Sequence, residues 1–189
     1  MGPGGTIRWM GDDNSRGCYS FCKNRTQNDQ GRNPGDGNCR EGGNMPTELG
    51  RRYSIDWRGK PPHMLEPDHA VWYRFLERYG QYFQKLYYDC LLGGPFLSPE
   101  QEKDPFQKMW RYNTSKRADA IAELENEIWI IEVADYPGLR AVGQLNVYQT
   151  LWIEDPKIMK PERIVLVSER IDNDLGAACA RFGIQIYLV

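Results

Sequence analysis

Long apolar runs are missing from this 189-residue sequence: no stretch approaches the roughly 20 consecutive apolar residues that span a bilayer. The opening MGPGGTIRWMGDD also lacks the apolar core of a signal peptide. The expected location is the cytoplasm, or a particle packaged from it. Excess charge is missing too. With 24 Lys and Arg against 26 Asp and Glu the formal net charge is -2, which is not the balance of a basic nucleic-acid coat, so any DNA contact has to be local. Five cysteines, an odd and scattered set, do not make a secreted disulfide framework. Cys90 and Cys179 fall in apolar helical patterns and read as core. Cys18, Cys22 and Cys39, with His63 as a fourth ligand, are the only candidates for zinc. Structural zinc sites bring their ligands as two tight pairs, and here one pair is close while the other two stand alone. Reduced thiols and no bound cofactor are therefore the expectation.

What is present divides the chain in two. Residues 1–62 hold most of the 19 glycines, many Asn, Asp and Arg, and almost no periodic apolar pattern. Such a Gly-rich arm cannot bury a core of its own. Residues 1–60 carry 10 basic and 7 acidic side chains, or +3, against 14 and 19, or -5, in the remainder. Ordering the arm would take contacts from neighbouring chains, with Trp9 and Trp57 as anchors, which points toward an assembly. Residues 63–189 read as one α/β domain.

From Asp68 the residues Trp72, Phe75, Leu76, Tyr79, Phe83, Leu86 and Cys90 recur at helical spacing, predicting one long amphipathic helix stopped by Gly93-Gly94-Pro95. FQKMWRY reads as a first strand. RADAIAEL and EIWIIEVA read as a hairpin turning at Glu125-Asn126, and LRAVGQLNVYQTLW as a crossover helix. RIVLVS, DNDLGAACARFG and IQIYLV complete a strand, helix, strand series. A crossover helix implies parallel pairing, hence a mixed sheet flanked by helices.

Asp119 near the start of one hairpin strand and Glu132 near the end of the other are placed to converge, and two convergent carboxylates suit a hard divalent ion such as Mg²⁺. The string RADAIAELENEIWIIEV followed by GQLNVY resembles the core of the PD-(D/E)xK nuclease superfamily, in its RecB-like and phage-encoded branch, over about residues 68–189. The resemblance implies a restriction-endonuclease-like fold, metal ligation by Asp119 and Glu132, and a Gln-x-x-x-Tyr pair on the next helix, matched by Gln144 and Tyr148. It also implies an acid on the first helix, for which Glu77 is the candidate.

The departure is Ala134, which stands where the family has the lysine of Glu-x-Lys. A methyl group neither orients a water nor offsets charge on a phosphate, a loss of roughly 10²–10⁴ in rate. Lys116, Arg117 and Arg140 are the candidate substitutes. Only Lys116 offers lysine chemistry, and in a regular strand it faces away from Asp119, so it requires a bulge to reach the site. Two functions follow. One is a catalytically degenerate nuclease-fold protein acting in a phage virion, at the portal, neck or head–tail junction, held to virion proteins and symmetric copies of itself through its arm. The other is a Mg²⁺-dependent DNA nuclease acting during packaging or head completion.

Overall fold

A computed structural model describes residues 47–189; Trp9 and the proposed zinc ligands Cys18, Cys22 and Cys39 lie outside them. Strands β1 (Arg52–Tyr53), β2 (Lys85–Leu92), β3 (Lys116–Glu123), β4 (Ile128–Ala134), β5 (Glu162–Ser168) and β6 (Gln185–Leu188) form one sheet in sequential order. β1 to β4 pair antiparallel, and β4, β5 and β6 pair parallel. Helices α1 (Glu66–Tyr79), α2 (Pro105–Thr114), α3 (Leu139–Glu154) and α4 (Asn173–Arg181) complete the domain. The expected mixed sheet flanked by helices is present. Helices α3 and α4 are the crossovers of two parallel steps taken in the same direction along the sheet, which puts both on one face. There Leu145, Tyr148, Trp152, Leu175 and Cys179 pack on Ile121, Ile130 and Leu166. The other face belongs to α1, whose Val71, Trp72, Phe75 and Leu76 cover Leu86, Ile131 and Val165.

Two elements differ from the sequence reading. The long helix ends at Tyr79, and the segment beyond a short 3-10 turn is strand β2. Leu86 and Cys90 are four apart and so prolong the helical spacing, although in the strand they pack on opposite faces. Gly80 is a poor place to continue a helix, and β3 needs a partner on its open edge. FQKMWRY is not a strand but most of α2, capped by Asp104, whose side chain accepts from Phe106 N at 2.9 Å, with Pro105 following in the first turn.

The described end of the arm packs on this domain. Glu48 bridges to Leu91, β1 pairs with β2, and Thr47 N donates to Asp155 Oδ2 at 2.9 Å. Trp57 stacks against Tyr53 and Tyr88, within this domain. Trp72 is fully buried and donates its indole N–H to the Tyr88 hydroxyl at 2.8 Å.

The loop leaving β2 turns on Gly93 and Gly94, both at positive φ, and a Cβ at Gly94 would sit 2.2 Å from Ser115 Oγ. Gly94→Ala should therefore lower the unfolding free energy by about 2 kcal/mol, read from urea melts.

One irregularity decides where the site side chains go. In β3, Ala120 and Ala122 pack on the α1 face, as alternation requires, but Ala118 packs on the α3 face with Ile121. In β2, Leu86 and Tyr88 pack on the α1 face, whereas Cys90 and Leu92 pack on the α3 face. Residues 118 and 120 share a face in a regular strand, so both strands change face at the same level. Asp89, at φ 53, supplies the left-handed step, and Asp119 sits opposite it between the Tyr88–Ala120 and Cys90–Ala118 pairs.

Candidate functional site

The hairpin register that pairs Ala120 with Ile131 continues one step further to set Asp119 against Glu132. Both line a cleft of about 370 Å³, with Asp68, Arg117, Arg140 and Gln144 among its other walls and Ala134 at its edge. Asp119 Oδ2 accepts the backbone N–H of Val133 at 2.8 Å, which fixes its carboxylate across the hairpin. Glu132 Oε2 is buried and has no hydrogen-bond partner among the described residues. An ionised oxygen in that position is costly unless a proton or a cation meets it.

The proton affinities agree with that geometry. Burial is the main cause raising the pKa of both Asp119 and Glu132 well above the usual carboxylate range, and the negative charge of neighbouring acids adds to it. For Glu132 the main opposing influence is the positive charge of Arg140. The Tyr148 hydroxyl accepts from Gln144 Nε2 at 2.8 Å. The two residues four apart on α3 therefore divide their work. Gln144 reaches the cleft, and Tyr148 is buried and lines the adjoining groove.

The first helix contributes a different acid from the one expected. Glu77 is solvent-exposed and does not line the cleft; it lies nine residues along α1, about 14 Å at 1.5 Å per residue, from Asp68. Asp68, in the first turn of α1, lines the cleft and accepts the Asp135 backbone N–H at 2.7 Å. Burial raises its pKa, opposed by that hydrogen bond. The available signal was Asp68 itself, two residues after Glu66 and next to Pro67. In sequence it reads as a helix-start residue and nothing more.

The cations sit along one rim. Arg117 lies 3.7 Å over the Tyr112 ring, donates to Tyr112 O at 2.7 Å and meets His63 Nε2 at 2.8 Å. Asp89 anchors this rim, accepting from the Tyr112 hydroxyl at 2.6 Å, with Arg117 at ion-pair distance, 3.5 Å. His63 belongs to this network. Lys116, exposed, opens onto a second groove of about 570 Å³ bounded by Arg117, Arg140, Gln144 and Tyr148. The chain changes face at Asp119, and Lys116, two residues from Ala118, lines this second groove and is not among the residues lining the carboxylate cleft. The two hollows share Arg117, Arg140 and Gln144 as walls, so they adjoin.

Among the described residues no three His, Cys, Asp or Glu side chains gather into a complete metal cage. A pair of carboxylates with water and a phosphate oxygen is nevertheless the usual surrounding of Mg²⁺, which retains much of its hydration. Asp119 and the unpartnered Oε2 of Glu132 fit that demand. Comparison of the chain with family models, with curated proteins and with solved structures gives no match.

Proposed function

We propose that this chain is a metal-dependent phosphodiesterase of restriction-endonuclease-like fold that acts on nucleic acid, with its lysine function moved from position 134 to Lys116. The observation that carries this reading is the buried, unpartnered Oε2 of Glu132 set across from Asp119 in a cleft rimmed by cations. Asp119 and Glu132 would hold a divalent ion, which would supply Lewis-acid chemistry to a phosphoryl oxygen. Arg117 and Arg140 orient the phosphate, Arg117 being held in place by Tyr112 and Asp89. Lys116 offsets the charge that develops as the water oxygen bonds to phosphorus and the bond to the leaving sugar oxygen breaks, the water proton finishing on that oxygen.

Ala134 favours a second reading, in which the cleft binds without turnover and the chain is a phage virion component at the portal, neck or head–tail junction, with virion proteins and copies of itself as partners. Nicking of supercoiled plasmid with Mg²⁺ or Mn²⁺ separates the two. The first reading expects cutting by the wild type, none by Asp119→Ala, and a loss of about 10² or more with Lys116→Ala. An inert wild type that gains cutting on Ala134→Lys would establish the second.

A further inference from the structure

Helix α2 has almost no interior side: Arg111 is its only buried residue, while Phe106, Met109 and Trp110, at the i, i+3, i+4 positions of one face, are 75%, 55% and 52% exposed. A helix that shows two large aromatics and a methionine to solvent presents a contact surface. Its charge says what kind. Lys116, Arg117 and Arg140 line the groove at its C-terminal end with no carboxylate among the described residues that form the groove's walls, while Arg111 is paired with Glu48 and Arg117 with Asp89. Its position says where the contact leads. α2 ends at Thr114, two residues before Lys116, and so runs directly into the groove that adjoins the carboxylate cleft.

We infer that α2 is a stacking platform for unpaired bases, so that the nucleic acid entering this cleft is a single strand or a frayed end, with bases on Trp110 and Phe106 and phosphates on Lys116 and Arg140. The inference rests on the cleft reading for the destination of the strand, and on α2 for its single-strandedness. In a duplex the faces of the bases are covered by their neighbours, and protruding aromatics have nothing to stack on. Unpaired bases offer that face, whatever their identity, and a cationic groove tracks the backbone between them.

The test is fluorescence anisotropy of the full chain with a labelled oligonucleotide, single or annealed to its complement, in EDTA so that no cutting occurs. The single strand should bind at least about tenfold more tightly than the duplex, and the double variant Phe106→Ala, Trp110→Ala should weaken it by roughly 10- to 100-fold. Lys116→Ala should lower the slope of log affinity against log salt by about 0.7. Both substituted aromatics are exposed, and an unchanged melting temperature confirms that the variant is folded. The inference is overturned by equal or tighter duplex binding, by no measurable binding, or by affinity within about twofold of wild type in the double variant. It is equally overturned if the double substitution dissociates a dimer in light scattering and leaves binding alone, since the face then covers a second copy. The rise in melting temperature produced by Mn²⁺ reports Asp119 and Glu132 without involving α2, so failure of the platform and failure of the cleft reading are seen separately.

Discussion

Glu132→Gln is expected to abolish metal-dependent cleavage, by about 10³-fold or more, and at the same time to make the protein more stable above neutral pH. The two effects have one cause. Burial raises the Glu132 pKa from its ordinary 4.5, and Asp119 beside it is raised from 3.8. The folded chain then holds protons that the unfolded chain has released. A group raised in this way contributes its stability in full below its unfolded pKa and loses it as the pH climbs through the folded value. Wild-type stability should therefore decline as the pH rises from about 4.5 through the neutral range. The amide has no charge to desolvate, so the variant should escape most of that decline and gain about 2 kcal/mol near pH 8. Adding Mn²⁺ should restore stability to the wild type, because the cation binds the ionised native pair and not the unfolded chain. The variant should show no such rise. Thermal melts with and without Mn²⁺ between about pH 5 and pH 9 test every part. A variant less stable than wild type near pH 8 would mean that the carboxylate is satisfied in the native state and does not await a cation.

The largest loss of stability should come from Trp72→Ala, about 3–5 kcal/mol, most of the reserve of an ordinary domain. Trp72 is wholly buried, stacks 5.4 Å from Phe75 and lies edge-on to Tyr88 at 5.9 Å. Its removal leaves a cavity under α1 and also strips the buried Tyr88 hydroxyl of its donor. Trp72→Phe separates the two contributions: the ring volume is largely kept and the hydrogen bond is lost, so about 1–2 kcal/mol should disappear. Urea melts give both values. Equal losses in the two variants would show that the hydrogen bond outweighs the packing.

The parallel half of the fold was legible in the sequence because each element there shows a single period. EIWIIEVA and RIVLVS are too apolar and too rich in Ile and Val for anything but buried strands, and the segment between them is long enough only for a crossover helix. The first half misleads for an equally physical reason. From Phe83 to Cys90 the apolar spacing fits a helix, strand alternation is hidden by the change of face at Asp89, and tertiary demand from β3 decides. In α2 the Asp-Pro start was visible, but the exposed aromatics imitate a strand, since among the described residues the helix buries only Arg111. At the site, the Asp119 and Glu132 pairing follows from hairpin register. Asp68 does not, because its role depends on where the N-terminal end of α1 lands over the sheet. The exposed Glu77 shows how little the flanking core residues Leu76 and Tyr79 say about the direction of a side chain between them.

The matched change of face in β2 and β3 bears on how the chain finds its alignment. These strands are joined by residues 93–115, not by a tight turn that would fix their offset. Sliding one past the other by a single residue would place the left-handed step at Asp89 beside regular backbone and turn Ala118, Ala120 and their partners toward the wrong helix. Two coincident kinks work as a dowel through two planks: they permit one alignment, and the same peg that sets it holds Asp119 opposite Glu132.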